Sequence, residues 1–391
     1  MKIKTWARLF LAVAPMLAGC KGFWDVPSGS GGGGGSSSGV FYVLNLKTSE
    51  VAGFSFAKGS TSLTAVSGSP YALASAPLTV AISPNGGFLY VSTAAGIYVY
   101  SIKASTGQLT LQNNNNVISS DPAFAMAVDP SGGWLVEAIS GTGTVNAIPL
   151  DSTTGLLPSG ASEQTVNLPS GATNVQAITT THTGATNPYV FVALGTSGIA
   201  IIPFTSSSSG NPFGAVTMIS PKNTNGGDTA VAVDLARQVL YVGETVAVSG
   251  NNPGGLRMFS IGAKSSLTEV TGSPYATGGV GPSAILPTTN YVYVANKAVS
   301  GSNNGNITAF AITTVGAATS LTAVTNGTVS AGVGTLGLAE DNTGTYILAV
   351  NSGGSPDLSA FTIGTSGALT SYATAATGSD PVQAVAIVAL P

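Results

Sequence analysis

The chain has 391 residues, 43% of them hydrophobic and 7% charged, with a formal net charge of −3 at pH 7. Because an ordinary soluble domain has about 25% charged residues, Ser, Thr and Asn must supply most of the polar surface of this protein. The sequence has no run of Lys or Arg, so it lacks the electrostatic pattern of a nucleic-acid-binding protein. It is too hydrophobic for a disordered chain, and its β-branched residues with 52 glycines favour strands joined by turns.

The first twenty residues, MKIKTWARLFLAVAPMLAGC, have the form of a bacterial export signal. Three basic residues precede an apolar stretch, 9–17, that is too short to span a bilayer. The final four residues, LAGC, resemble the lipobox of bacterial lipoproteins, which implies cleavage before Cys20 and acylation of its thiol and amino groups. Residue 21 is Lys rather than Asp, which in Gram-negative lipoproteins is associated with export to the outer membrane. We therefore expect a signal peptide over 1–19 and a lipid-anchored protein of the bacterial cell envelope.

Residues 20–39 contain the acylated cysteine and a Gly/Ser-rich segment, SGSGGGGGSSSG, which predicts a flexible tether. Cys20 is the single cysteine of the chain, so no intramolecular disulfide can form. The body of the protein, residues 40–391, must therefore be stable through packing alone.

A short strand signal recurs seven times along this body. Its occurrences are VFYVLN, FLYVST, WLVEAI, YVFVAL, VLYVGE, YVYVAN and ILAVNS, spaced by 46 to 56 residues. A longer phrase, SLTAVSGSPYA at 62–72, returns four such periods later as SLTEVTGSPYA at 266–276. Each period reads as four short strands separated by turn sequences such as SPNG, DPSG and DNTG. Four strands in each of seven repeats predict an all-β fold, a seven-bladed β-propeller of four-stranded antiparallel blades.

The two ends of the body predict how the ring closes. The chain starts on the second strand of a blade, VFYVLN, and ends on an apolar run typical of an innermost strand, VQAVAIVAL at 382–390. Because separate ends would leave two unpaired sheet edges, we expect this last run to pair with residues 40–45.

Three motifs resemble those of the seven-bladed lactonase-type propellers and the related YVTN-repeat proteins. They are YVAN at 293–296, GSPYATGG at 272–279 and AVDPSG at 127–132. The resemblance covers nearly all of the body and implies the seven-bladed fold. The group includes 6-phosphogluconolactonases, which open the ring of a sugar lactone, so the resemblance also implies that activity.

Lactone hydrolysis needs a base and a group that holds the developing oxyanion, and a phosphorylated substrate also needs Arg or Lys. The one histidine, His182, and Arg237 fall in turns on the face away from the usual propeller ligand site. We expect Arg257 near the exposed end of a strand, without an Arg or Lys partner with which it could bind a phosphate. Three aspartates recur at one turn position and have a structural interpretation: Asp129, Asp234 and Asp341.

No residue is assigned a catalytic role from the sequence. The spacings of a metal site, a nucleophile elbow and a phosphate-binding loop are absent, so we expect neither a metal nor a cofactor. Propellers generally bind ligands at the mouth of the channel, on the face formed by the loops from the outermost strand to the next blade. The ionisable residues expected there are Asp121, Asp228, Glu244 and Lys297.

Two functions remain open at this point. The nearly neutral, Asn- and Gly-rich loops at the channel mouth favour a binding or scaffold module for a protein or glycan. The family resemblance favours a lactone hydrolase, with Glu244 and Asp228 as the carboxylates that activate water and little activity on a phosphorylated lactone. A channel mouth that gathers several charged groups would favour the hydrolase.

Overall fold

The computed structural model describes residues 38–57, 62–181, 188–205, 210–246, 254–263, 266–315, 318–354, 356–378 and 383–391. The signal peptide, Cys20, most of the tether and His182 lie outside these ranges. The described residues form thirty β-strands and one short 3-10 helix, Asn113–Asn115. No helix in this part of the chain has the length and apolar character that a membrane span requires.

The strands form seven antiparallel sheets, which we number as blades 1 to 7. Blade 1 contains β1 (Ser38–Asn45), β2 (Glu50–Ala57), β3 (Thr64–Ala65) and β4 (Tyr71–Ala72). Blade 2 contains β5 (Pro77–Ile82), β6 (Phe88–Thr93), β7 (Gly96–Ile102) and β8 (Leu109–Leu111). Blade 3 contains β9 (Ala125–Val128), β10 (Trp134–Ile139), β11 (Thr144–Pro149) and β12 (Gln164–Asn167). Blades 4 and 5 contain β13 (Ala177–Thr180), β14 (Tyr189–Ala193), β15 (Ile199–Pro203) and β16 (Thr217–Ile219); and β17 (Asp228–Asp234), β18 (Val239–Glu244), β19 (Gly255–Ile261), β20 (Leu267–Glu269) and β21 (Tyr275–Ala276). Blades 6 and 7 contain β22 (Val280–Pro287), β23 (Tyr291–Ala298), β24 (Asn304–Val315) and β25 (Ala318–Val333); and β26 (Thr335–Glu340), β27 (Tyr346–Asn351), β28 (Leu358–Ile363) and β29 (Leu369–Ala375). The last strand, β30 (Ala384–Ala389), returns to blade 1.

Within each blade the strands follow the chain from the innermost to the outermost position, apart from β30, which is innermost in blade 1. The innermost strands β30, β5, β9, β13, β17, β22 and β26 contact one another in that order, and β26 contacts β30. The ring therefore closes through blade 1, where Tyr42 pairs with Val388 and the two chain ends share one sheet. The predicted seven-bladed propeller and its closure by the terminal strands are confirmed.

The core consists of seven hydrophobic clusters, one between each pair of adjacent blades. The aromatic residues of the recurring strand signal are among its largest fully buried side chains. Burial of such a side chain stabilises the fold by roughly 1.5–3 kcal/mol, so repeating the signal in every blade stabilises every interface. Several tyrosines of the signal also donate to the next blade, for example Tyr90 to the carbonyl of Gly155 and Tyr293 to that of Gly367.

The phrase that occurs twice in the sequence forms the same structure in blades 1 and 5. In both places it supplies the outermost strand and then a two-residue strand that pairs with the far end of the third strand of that blade. Ser69 and Ser273 accept hydrogen bonds from the backbone of Gly53 and Met258, which fixes the bend between the two short strands. The repetition therefore reflects equivalent positions in two of the seven blades, as predicted.

Candidate functional site

The second strand of every blade ends on the face where the innermost strand begins, and we call this side of the ring the entry face. The segment that leads from the previous blade into the innermost strand, the entry segment, crosses this face. In blade 6, Thr277 of the entry segment donates to Asn296 Oδ1 (2.7 Å), and Asn296 Nδ2 donates to the carbonyl of Thr277 (3.3 Å). In blade 7, Asn351 Oδ1 accepts from the hydroxyl of Thr335 at 2.9 Å. The asparagine of the YVAN motif is therefore a structural anchor for the entry segment.

Glu244 occupies the equivalent position in blade 5, as the last residue of β18. Its carboxylate accepts hydrogen bonds from the backbone N–H groups of Lys222 (3.2 Å) and Asn223 (2.9 Å). Gly226 allows this contact because a Cβ there would lie 2.5 Å from Glu244 Oε1. Glu244 thus anchors its entry segment as the asparagines do, but it brings a negative charge into the interior.

Arg257 on β19 is the centre of a charged cluster in blade 5. Its guanidinium lies 3.6 Å from the carboxylate of Asp228 and 3.7 Å from that of Glu244. Glu269 on β20 completes the cluster at 3.4 Å, and Arg257 also donates to the carbonyl of Ser220. The prediction that Arg257 lies near an exposed strand end is wrong. Its side chain is 3% exposed, because side chains of four neighbouring strands on the same side of the sheet converge beneath the entry segment.

The carboxylates of this cluster titrate differently. Burial raises the pKa of Asp228 to about 7 although Arg257 opposes the shift. Burial also raises the pKa of Glu244, against the hydrogen bonds from Asn223 and Lys222. Burial also favours a higher pKa for Glu269. The interactions of Glu269 with Lys222 and Arg257 outweigh this effect, so the pKa of Glu269 is lowered. Both carboxylate oxygens of Asp228 are buried without a hydrogen-bond donor among the described residues, so this group is available as a base.

Asp121 belongs to a second cluster, in blade 3. One carboxylate oxygen each of Asp121, Glu137 and Glu163 lies within 4.8 Å of the others. Asn146 Nδ2 donates to Asp121 (3.1 Å) and to Glu137 (3.0 Å), and burial raises the pKa of Glu137 to about 8. The sequence did not predict this group, because its members are 16 and 26 residues apart along the chain and fit no ligand motif.

Lys297, the fourth residue expected at the channel mouth, joins neither cluster. It is exposed on β23 and forms no ion pair with the residues that the structure describes. The turn aspartates behave as predicted: Asp129 and Asp341 accept hydrogen bonds within their own turns, and Asp234 pairs with Arg237 at 2.8 Å.

The opposite face of the ring has a cavity of about 520 Å³ at the channel. Its walls include Leu286, Leu338 and Leu390, with Glu340 as a carboxylate beside them. Burial raises the pKa of Glu340 to about 7, and the nearby charge of Asp341 adds to the shift. This cavity therefore lies away from both charged clusters.

The first part of the chain matches a known family model. The family model described as "Lactonase, 7-bladed beta-propeller" matches residues 35–207, from blade 1 to the third strand of blade 4. Residues 35–207 thus resemble the lactonase family, and the described residues as a whole form a seven-bladed propeller. The charged cluster of blade 5 lies outside the matched residues.

Three solved structures share this seven-bladed fold over nearly their whole length. A periplasmic gluconolactonase from Pseudomonas aeruginosa is 16% identical, with a TM-score of 0.68 over 91% of this chain and 99% of that one. Two proteins described as putative 6-phosphogluconolactonases, from Bacteroides fragilis and Bacteroides uniformis, are 15% and 14% identical, with TM-scores of 0.67 and 0.66. They cover 91% and 90% of this chain and are themselves covered to 98% and 99%. At such identities the likeness concerns the fold alone. No curated protein gives a significant match to the sequence.

Proposed function

We propose that this lactonase-type propeller hydrolyses an unphosphorylated sugar lactone in the charged cluster of blade 5. The observation that carries the proposal is Asp228, a buried carboxylate without a hydrogen-bond donor, beside the buried guanidinium of Arg257. Lactone opening requires a base whose pKa is near 7 and a fixed positive charge that stabilises the developing oxyanion. The family match and the gluconolactonase named among the similar structures support this choice over a purely structural module.

Besides the lactone, the reaction consumes one water molecule and no other reactant. Asp228 takes a proton from the water as the water oxygen bonds to the carbonyl carbon of the lactone, and Arg257 stabilises the negative charge that develops on the carbonyl oxygen. The ring C–O bond then breaks, and the ring oxygen takes the proton back from Asp228, which gives the open hydroxy acid. Because the entry segment 220–227 covers the cluster, the substrate must displace it.

The charge balance of the cluster disfavours a phosphorylated substrate. Arg257 already faces three carboxylates, and Lys222 pairs with Glu269 at 3.0 Å. A phosphate dianion would need basic groups that are not already paired, and it would be repelled by Asp228 and Glu244. We therefore assign the unphosphorylated lactone as the substrate class.

The test is an assay of the detergent-solubilised full-length protein on glucono-δ-lactone and on its 6-phospho derivative, with the spontaneous rate subtracted. We expect turnover of the plain lactone, with kcat/KM rising as the pH increases through about 7. Asp228→Asn should lower kcat/KM by about 10²–10⁴-fold. The matched control is Glu340→Gln, a half-buried carboxyl with a similar pKa on the opposite face, which should leave kcat/KM unchanged. Equal rates in Asp228→Asn and wild type, or no turnover above background, would contradict the proposal.

A binding module for a protein or glycan is the second candidate, and one observation favours it. The ring of Phe124, on the entry segment of blade 3, is 45% exposed on the entry face, whereas Asp228 and Glu244 are fully buried. An exposed aromatic ring is a typical platform for a sugar ring or an apolar side chain. Under this alternative, Phe124→Ala should weaken binding on a glycan array or in a pull-down from membranes, and Asp228→Asn should not.

We also propose that the propeller is anchored in the bacterial cell envelope through acylated Cys20. The support is the LAGC segment and the Gly/Ser tether that follows it. Cys20→Ser should abolish labelling by radioactive palmitate and leave unprocessed precursor, because the acceptor thiol is gone. An unlabelled wild-type protein would contradict the anchor.

A further inference from the structure

The clusters of blades 3 and 5 occupy corresponding positions. In the sheet register, Asn146 pairs with Glu137 on the second strand of blade 3, as Arg257 pairs with Val242 in blade 5. The turn aspartates Asp129 and Asp234 lie eight residues before Glu137 and Val242, so the two pairs are equivalent. Both blades therefore place one third-strand side chain among three carboxylates.

The two clusters differ in the charge at the centre. In blade 5 the carboxylates of Asp228, Glu244 and Glu269 surround a guanidinium. In blade 3 the central side chain is the neutral amide of Asn146, and no Lys or Arg among the described residues forms an ion pair with the three carboxylates. Blade 3 thus has the negative shell of blade 5 without its positive centre.

Two buried oxygens of the blade 3 cluster also have no partner. Glu137 is fully buried, and its Oε2 accepts no hydrogen bond from the described residues. Asn146 is 2% exposed, and its Oδ1 is likewise without a donor although its amide lies between two carboxylates. A buried oxygen without a partner costs about 1–3 kcal/mol, and two of them at one acidic cluster call for a ligand that accepts lone pairs.

We propose that Asp121, Glu137 and Glu163 bind a Ca²⁺ ion in blade 3. The donors are carboxylates, with the hydroxyl of Ser119 and the amide of Asn146 beside them, and an all-oxygen set is what Ca²⁺ prefers. The three carboxylates come from different segments, and Ca²⁺ accepts irregular coordination by oxygen ligands whereas Mg²⁺ demands a near-ideal octahedron. The ion would supply the positive charge that Arg257 supplies in blade 5. It would also connect the entry segment, the second strand and the outer edge of blade 3, which each contribute one ligand.

The first test is calorimetric titration of the EDTA-treated full-length protein with CaCl₂ and with MgCl₂, together with melting temperatures in both salts. We expect one Ca²⁺ per chain, a melting temperature several degrees higher with Ca²⁺, and at least 10-fold weaker binding of Mg²⁺. Glu137→Gln should weaken Ca²⁺ binding at least 10-fold, and the matched control Glu340→Gln should bind as the wild type does. Glu163→Gln, which removes a half-buried ligand, serves the same purpose if Glu137→Gln does not fold.

The second test places the positive charge of blade 5 in blade 3. Asn146→Arg should abolish Ca²⁺ binding and raise the melting temperature measured in EDTA, because the guanidinium replaces the ion. Absence of Ca²⁺ binding by the wild type at millimolar concentration would overturn the proposal. Equal Ca²⁺ affinity in wild type, Glu137→Gln and Glu163→Gln would also overturn it, since the ion would then bind elsewhere. Equal affinities for Mg²⁺ and Ca²⁺ would overturn the choice of metal.

Discussion

Asn296, Asn351 and Glu244 occupy one position in three blades, and each fixes the start of its own blade through hydrogen bonds. The asparagines do so with a neutral amide, which needs no further compensation. Glu244 does so with a carboxylate, and a buried carboxylate needs a positive partner. A single exchange at the end of a strand therefore explains why blade 5 also holds a buried arginine.

The buried charge of Arg257 leads to a stability prediction. Arg257→Met should leave the buried carboxylates of Asp228 and Glu244 without their cation and lower the free energy of unfolding by about 3–5 kcal/mol. The control is Arg237→Met, which removes a partly exposed arginine whose ion pair with Asp234 is worth at most about 1 kcal/mol. Urea denaturation of the two variants measures the difference. Equal decreases in the free energy of unfolding would show that Arg257 does not stabilise the buried carboxylates of blade 5.

The four residues expected at the channel mouth could be named from the sequence, but their grouping could not. The strand-and-turn pattern placed Asp228 and Glu244 at one end of blade 5, where the structure brings them to the same guanidinium. Arg257 was missed because its partners lie on three other strands, and their side-chain direction depends on a register that a bulge after Asp228 shifts by one residue. A comparison of the strand register in all seven repeats could have placed Arg257 beside these carboxylates.

At the scale of single elements, the hairpins between the third strand and the outermost strand hold the blades together. The hydroxyl of Tyr90 in blade 2 donates to the carbonyl of Gly155 in this hairpin of blade 3, at 3.1 Å. Gly155 has φ of +70°, and a Cβ there would lie 2.6 Å from the ring of Phe88. The hairpin thus requires glycine for two reasons, its backbone conformation and the close approach of the neighbouring blade.

Substituting this glycine separates the two reasons. Gly155→Ala should lower the melting temperature clearly more than Gly160→Ala does, because Gly160 also has a positive φ (+80°) but nothing within 4 Å of the added Cβ. The difference between the two variants measures the cost of the contact with Phe88 beyond that of backbone strain. Similar melting temperatures would indicate that blade 2 moves away from the hairpin without cost.

The repeating elements were the most predictable part of the molecule. The aromatic-Val strand signal marks the second strand of its blade, because this strand is buried on both faces between neighbouring blades. The outermost strands of blades 1 to 5 are short and mostly half or fully exposed, so their pattern is weaker. In blade 1 the repeated phrase forms two separate strands, Thr64–Ala65 and Tyr71–Ala72.

At the scale of the whole molecule, stability depends on closure of the ring. In blade 1, β30 pairs with β1 and also contacts the innermost strands of blades 7 and 2. Truncation after residue 380 should therefore expose the edge of β1 and the clusters on both sides of blade 1, and lower the melting temperature far more than deletion of Pro391 alone. Melting curves of both truncations and the full chain test this. An unchanged melting temperature after the longer truncation would contradict closure through β30.

Buried carboxyls on both faces of the ring give the whole molecule a characteristic pH dependence. The pKa of Asp228 and that of Glu340 are raised to about 7, mainly by burial, from ordinary values of 3.8 and 4.5. A raised folded pKa means that the folded state holds the proton more tightly than the unfolded chain does. The stability that these two groups contribute is therefore complete below about pH 4 and is lost as the pH rises through about 7.

Melting temperatures measured in EDTA between pH 4 and pH 8 should thus decrease as the pH rises. Glu340→Gln should flatten this decrease, because the amide does not titrate in either state. The control is Asp151→Asn, which removes a carboxyl whose pKa is lowered by hydrogen bonds from Thr154 and Thr153. Its carboxyl titrates at or below the ordinary value of 3.8 in both states, so above about pH 5 this variant should keep the slope of the wild type. A slope in Glu340→Gln equal to that of the wild type would show that its carboxyl is solvated in the folded state.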